Sequence, residues 1–338
     1  MIHLSICIPT FNFGKYIGET LDSILPQLTT GVELIVLDGG SSDQTHYEVY
    51  ARQSECNHLI YYQQGFRGGI DRDIEKVVSL ARGKYCWLFS ADDVMLPGAV
   101  EKILAVIRSN YDVYLCEHLL CTLEMLPIRK HPPLFKMGHP RLFNFYDLLQ
   151  KKEYFLLSRT SEAFFSFLSG PIFKKEIWEA ATNLPESFRD SYFIVAGHLL
   201  SMIPRGMTLY YLNETLIHKR GDNDSFIEKG MVNRYAIAIN GYRKIADTIF
   251  GHDSFEAFHI RRSVCNDLTV KHLLNVKFDC MNAKLHEDEI TLNKLVAIHY
   301  ADPLLRNRIN LLIYKITPMF IYGYIKILKR VFKKLVRK

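Results

Sequence analysis

An uncharged run, Tyr85-Cys86-Trp87-Leu88-Phe89, gives way to Ser90-Ala91 and then to two adjacent carboxylates, Asp92 and Asp93. An apolar run of this length suits a strand buried on both faces. Carboxylates side by side at the end of such a strand repel each other and lose solvation, which a purely structural role explains poorly. A divalent cation relieves both problems, because hard cations take carboxylate oxygens as ligands. A cation at that place could hold the phosphates of a nucleotide. The plainer alternative is that Asp92 and Asp93 cap a helix starting near Pro97.

Two earlier turns carry similar chemistry. Pro9-Thr10-Phe11-Asn12 follows the apolar run His3–Ile8, and Asp38-Gly39-Gly40-Ser41-Ser42-Asp43 follows Val32–Leu37. Further strands are expected at His58–Tyr62 and Asp112–Cys116. Helices are expected from Tyr16 to Leu25 by their spacing, from Ile74 to Ala81 after a charged, glycine-rich loop Gly65–Asp73, and from Gly98 to Ser109. Short strands alternating with helices predict an α/β fold with a mostly parallel sheet and right-handed crossovers. In open sheets of this kind ligands bind beyond the carboxyl ends of the strands, where these turns converge. Neither a GxGxxG after the first strand nor a GxxxxGK[ST] is present, which leaves a dinucleotide site and a P-loop unsupported.

The second half is less regular. Leu120–Gly138, with Pro127, Pro132 and Pro133, reads as a long excursion near the active face. Phe143–Leu149, Lys174–Ala181 and Asp190–Met202 read as helices, and Met207–Leu212 and Thr215–Lys219 as strands. Past Phe226 the pattern is helical almost to the end. At 338 residues, 48% hydrophobic and 23% charged, the chain reads as folded, in one large domain or two. Seven cysteines without a CxxC pair point to a reducing compartment, and the opening strand leaves no export signal to expect. From Leu304 to Lys338 there are ten Lys or Arg and no Asp or Glu, so the tail is basic and the body mildly acidic. Apolar and aromatic residues alternate with the basic ones there, and Lys315 and Pro318 interrupt any clean membrane span. A basic amphipathic helix lying on a membrane surface fits this pattern; a helix packed on the body is the plainer alternative.

The three turns, in this order and spacing, resemble the inverting glycosyltransferase family 2 with the GT-A fold, over roughly residues 1–230. Asp71-Arg72, Tyr85-Cys86-Trp87, Asp112-Val113-Tyr114-Leu115-Cys116, Lys174-Lys175-Glu176 with Trp178, and Arg220-Gly221-Asp222-Asn223-Asp224-Ser225-Phe226 are similar to bacterial O-antigen sugar transferases. The nearest likeness among these is to abequosyltransferases that use CDP-3,6-dideoxyhexoses. The resemblance implies a GT-A catalytic domain over 1–225, with a nucleotide-binding half to about 118 and an acceptor-side half from 119. A helical extension over 226–303 and a membrane-association helix over 304–338 would follow.

It also implies roles. Pro9, Thr10, Phe11, Asp38, Arg72 and Asp92 would bind the nucleotide, with Phe11 stacking on a pyrimidine and Arg72 meeting the diphosphate or base. Asp92, Asp93 and His218 would hold Mg²⁺ or Mn²⁺. Asp190 would be the base that deprotonates the acceptor, and Arg220 would assist the leaving diphosphate. The pattern departs where Gly39 and Ser90 stand, since the family often has Asp at both places, and where a Glu-Asp pair would precede the base. The expected partners are a nucleotide-sugar donor, CDP-linked in preference, a polyprenyl-diphosphate-linked oligosaccharide acceptor and a membrane surface, without nucleic acid. The expected location is the cytoplasmic face of the bacterial inner membrane. A UDP-sugar transferase for another surface polysaccharide, a nucleotidyltransferase and a nonenzymatic nucleic-acid binder are the alternatives. The first turn lacks the glycine-rich basic loop that a nucleotidyltransferase needs, and a nucleic-acid binder gives the aspartates nothing to do.

Overall fold

The computed structural model describes residues 1–324, 326 and 328, apart from 136 and 183, and leaves the side chains of Ser225 and Glu228 undescribed. The strands are β1 (Leu4–Thr10), β2 (Val32–Asp38), β3 (Leu59–Gln63), β4 (Tyr85–Leu88), β5 (Val94–Met95), β6 (Val113–Cys121), β7 (Pro127–His131), β8 (Arg141–Asn144), β9 (Pro171–Lys174) and β10 (Thr208–Lys219). They form one mixed sheet in the order β3-β2-β1-β4-β9-β6-β10-β5, with β7 added to β6 and β8 to β10. The helices of the first half are α1 (Gly14–Ile24), α2 (Thr45–Gln53), α3 (Ile70–Leu80) and α4 (Ala99–Val106). Then come α5 (Leu148–Leu157), α6 (Lys175–Ala180) and α7 (Ile194–Met202).

The nucleotide-side half forms for the reason its sequence suggests. Every residue of β1, β2 and β4 is buried, as continuous apolar runs covered on both faces must be. Ile17, Leu21 and Ile24 of α1 fill the same core as Trp87 and Phe89. Trp87 is wholly buried, and its indole N–H donates to Ser169 O at 2.9 Å. That bond satisfies the one polar atom of a large ring, so the ring adds apolar burial without an orphaned donor.

The sheet is mixed, since β9 lies antiparallel between β4 and β6. Four expectations about individual elements are corrected. The excursion at 120–138 is a hairpin instead: β6 continues to Cys121, and β7 folds back on it with His118 opposite His131. The helix expected at Phe143–Leu149 is strand β8 followed by α5, whose start is set by Asp147 accepting from the amides of Leu149 and Gln150. The two late strands are one, β10, which absorbs Asn213 at φ 53 and a register shift between Tyr211 and Thr215. Helix α3 also begins earlier than its apolar spacing indicates, so Asp71, Arg72 and Asp73 lie in its first turns and not in a loop.

The chain divides into two compact units, residues 1–224 with 245–260, and residues 225–244 with 261–338. The later helices are α8 (Met231–Phe250), α9 (Phe255–Asp267), α10 (Val270–Asn282), α11 (His286–His299) and α12 (Leu305–Ile316). Within the second unit, α12 buries Asn307 and Tyr314, and the Tyr314 hydroxyl donates to Asn293 Oδ1 at 2.9 Å. Its opposite side exposes Leu305, Ile309, Leu312 and Ile316. Among the described residues no helix is long and apolar enough to cross a membrane. The densest part of the basic tail, residues 329–338, lies outside the described residues.

Candidate active site

The ends of β2, β1 and β4 lie side by side, so the three turns of the sequence meet at one edge. The first two are stitched together. Asn12, at φ 58, donates its amide hydrogen to Ser41 Oγ at 2.8 Å and accepts the Ser42 N–H on Oδ1 at 2.9 Å. Asn tolerates this left-handed backbone better than most residues. Gly14 donates its N–H to Asp43 Oδ2 at 2.9 Å, and a Cβ there would lie 2.7 Å from the Thr45 nitrogen, so only glycine fits. Gly39 donates its N–H to Thr10 O at 2.8 Å.

Pro9 and Thr10 are buried within β1, and the Thr10 hydroxyl has no hydrogen-bond partner among the described residues. Phe11 is half-buried, with the Arg67 guanidinium 4.2 Å from its ring centroid. Asp38 is wholly buried, accepting the Ser41 N–H on Oδ1 at 2.8 Å and the Tyr61 O–H on Oδ2 at 2.7 Å. Each of its oxygens keeps a second lone pair, so these bonds orient the carboxylate without exhausting it.

Asp92 and Asp93 take different partners. Asp92 accepts from the Ser90 hydroxyl at 2.5 Å and from the Asn223 amide at 2.7 Å. Asp93 accepts the Ser169 hydroxyl on Oδ2 at 2.9 Å and the Arg220 N–H on Oδ1 at 3.1 Å. Burial pushes the Asp93 carboxyl up to about 8, and the charge of Asp92 adds to the effect. These bonds tie the carboxyl to Ser169 and Arg220 and, as at Asp38, leave each oxygen a second lone pair.

Arg220 is likewise drawn inward. Its Nε donates to Asp92 O at 2.9 Å and its Nη1 to Leu123 O at 2.5 Å, while Nη2 pairs with Glu19. The guanidinium carbon sits 4.8 Å from the Tyr16 centroid. The residue thus joins α1, the aspartate turn and the β6–β7 hairpin, a larger structural part than the sequence indicated.

Among the described residues no group of three His, Cys, Asp or Glu could hold a metal ion. A cation at this turn would therefore need oxygens of a diphosphate beside the carboxylates of the turn. His218 stands opposite Val94 in the β10–β5 register, next to that turn, and burial holds its imidazole below the usual range, in the neutral form that ligates metals.

Arg72 and Asp190 are brought together at the surface. Arg72 Nη1 lies 3.2 Å from Asp190 Oδ1 and its Nη2 lies 3.3 Å from Glu186. Asp190 precedes α7 and does not belong to it; its side chain is 71% exposed. Exposed pairs of this kind contribute about 0–1 kcal/mol, so Arg72 can exchange one anionic partner for another at little cost. Three groups at this edge take no role from the sequence: Ser169, Tyr61 and Asn223, the last lying in the Arg220–Phe226 stretch that carries the resemblance. Their alignment with Asp93, Asp38 and Asp92 depends on tertiary contacts alone.

A mixed sheet flanked by helices, with a polar turn at the carboxyl end of β1 and acidic turns at those of β2 and β4, defines a GT-A nucleotide-sugar transferase. Residues 5–171 match the family model for glycosyl transferase family 2. The abequosyltransferase RfbV of Salmonella typhimurium is 30% identical over 250 residues, covering 73% of this chain and 75% of that protein. The chain belongs to glycosyl transferase family 2. A GalNAc(5)-diNAcBac-PP-undecaprenol beta-1,3-glucosyltransferase of Campylobacter jejuni is 24% identical over 73% of this chain and 74% of its own length. Among solved structures, S. aureus TarS 1–349 in complex with UDP-GlcNAc superposes with a TM-score of 0.60 at 17% identity, covering 93% of this chain and 89% of that one. The enzyme is thus a glycosyltransferase close to O-antigen and polysaccharide transferases, and the nucleotidyltransferase and nucleic-acid-binder readings fall away.

Proposed function

We propose that the enzyme moves a 3,6-dideoxyhexose, abequose or a close relative, from a CDP donor to a polyprenyl-diphosphate-linked oligosaccharide, with Mg²⁺ or Mn²⁺. The observation that carries this reading is the stitched edge, where Thr10 stands opposite Asp38 and keeps a buried hydroxyl unmatched among the described residues. The likeness to RfbV over 73% of the chain supports the donor. The printed substrate of the Campylobacter relative, a PP-undecaprenol, supports a lipid-linked acceptor.

In this reading the nucleotide lies across the first two turns, with Phe11 under the base and Asp38 taking an N–H or hydroxyl. Pro9 and Thr10 shape the strand end beneath it. Asp92 and His218 would hold the cation, which when bound supplies positive charge to the departing diphosphate. Arg72 leaves its surface pair to meet the diphosphate, and Arg220 adds fixed positive charge from beneath the aspartate turn. Asp190 receives the proton of the acceptor hydroxyl as the new C–O bond forms and the bond to the diphosphate breaks. Residues 1–225 form the catalytic domain and 226–303 a helical extension.

The segment from 304 places the enzyme on the cytoplasmic face of the inner membrane. The stripe Leu305, Ile309, Leu312 and Ile316, exposed along one side of α12, supports contact with a membrane surface. A UDP-sugar donor is the second reading, favoured by the UDP-GlcNAc that the TarS structure holds. A thermal-shift panel of CDP, UDP, GDP and TDP, with and without Mn²⁺, decides between them. The largest stabilisation is expected for CDP with Mn²⁺; stabilisation by UDP alone among the four sinks the CDP assignment.

A further inference from the structure

The loop between β3 and α3, residues 64–69, seats Arg67 on the exposed side of Phe11. Beneath it lies Asp73, only 4% exposed, in the first turn of α3. Gln64 Nε2 donates to Asp73 Oδ1 at 2.6 Å. The other oxygen lies against Gly39: a Cβ placed there would come within 2.6 Å of Asp73 Oδ2. No donor among the described residues reaches that oxygen. The orphaned Thr10 hydroxyl belongs to the neighbouring strand end, since Gly39 N–H donates to Thr10 O. The Thr10 hydroxyl is buried without a partner among the described residues, and Asp73 Oδ2 has an acceptor position to spare, so a ligand that carries hydrogen-bond donors suits this edge.

The surroundings say which kind. Burial pushes the Asp73 carboxyl above the usual range, Asp38 adds to this, and the Gln64 bond and the Arg67 charge pull it back. Phe11 and Arg67 present an aromatic face and a planar cation, the two surfaces on which a flat heterocycle stacks. Their present spacing leaves no room between them. The loop that carries Arg67 holds Gly65, Gly68 and Gly69, which lets it lift by about one van der Waals layer, ~3.5 Å.

We propose that Asp73 and Arg67 read the nucleobase of the donor: the base enters between Phe11 and the Arg67 guanidinium, and a base N–H donates to Asp73 Oδ2. This rests on the donor reading above and adds two residues to it. Cytosine would use its exocyclic amine and uracil its ring N3–H; both are N–H donors to a carboxylate.

Isothermal titration of the full chain with CDP, UDP and inorganic diphosphate, which has no base, tests the assignment. Asp73→Asn is expected to weaken the preferred nucleotide by about tenfold or more and to flatten the preference between CDP and UDP. Arg67→Ala, at an exposed position where folding is not at risk, is expected to weaken both nucleotides by about fivefold. Neither change should alter diphosphate binding. Arg67→Ala with wild-type affinity for both nucleotides overturns the stacking role, and a folded Asp73→Asn with wild-type affinity and preference overturns the reading role. A wild-type chain that binds no nucleoside diphosphate at all overturns the donor reading itself.

Discussion

Asp71 accepts the backbone N–H of Tyr192 on Oδ2 at 2.7 Å and that of Ile194 on Oδ1 at 3.2 Å. A single buried carboxylate in the first turn of α3 thereby fixes the start of α7, more than a hundred residues further along the chain. It also holds Tyr192 at φ 65 and, just before it, the exposed Asp190. Helix α3 is therefore the common support of Arg72, Asp73 and the segment bearing Asp190.

Burial pushes the Asp71 carboxyl up to about 7, above its value in an unfolded chain. A group raised in this way contributes its stability below the unfolded pKa and loses it as pH climbs through the folded one. Against Asp71→Asn, the wild type should therefore lose relative stability between about pH 4 and pH 7 and level off above that. Thermal melts of both proteins at each pH unit check this. A difference in Tm that stays flat across the range contradicts the shift.

Asp190→Asn should lower transfer by about 10²-fold or more, the usual share of a catalytic base, while nucleotide affinity stays the same. Its ion pair with Arg72 is exposed, so the same change should move stability by no more than about 0.5 kcal/mol. Steady-state kinetics beside a thermal melt separates the two effects. Undiminished turnover removes Asp190 from the mechanism.

If Asp92 is the protein's carboxylate toward the cation, Asp92→Asn should abolish the increment that Mn²⁺ adds to stabilisation by CDP. The wild-type increment should be about 2–4 °C for each kcal/mol of added binding energy. The smaller shift with CDP alone should survive. Chelation by EDTA should reproduce the variant in the wild type, and a full Mn²⁺ increment in the variant places the cation elsewhere.

Deleting residues 309–338 should move the protein from the membrane fraction to the soluble fraction of lysed cells. It removes Ile309, Leu312, Ile313 and Ile316, four of the five exposed apolar residues of α12, together with eight of the ten basic residues of the tail. Nucleotide affinity of the truncated chain should match that of the whole. An unaltered distribution contradicts the anchor.

The nucleotide-side half was legible because its signals are local. Continuous apolar runs ending in Pro9–Asn12, Asp38–Asp43 and Ser90–Asp93 state both strand and exit, and the exits lie side by side as parallel strands require. The rest depends on contacts between distant segments. Nothing local says that Pro171–Lys174 runs antiparallel between two parallel strands, or that Phe143 belongs to a strand beside β10. Asp73 was hidden for a related reason. The apolar spacing of α3 starts at Ile74, so the acidic turn before it read as loop, and its approach to Gly39 exists only once β2 and α3 have packed.

Asp93 shows how easily this edge can be misjudged at the bench. Its carboxyl links Ser169 and Arg220, two segments some fifty residues apart in the chain. An alanine placed there removes both links as well as a carboxylate, so lost turnover in that variant does not by itself report on cation binding; a thermal melt beside the kinetics tells a loosened scaffold from a lost ligand.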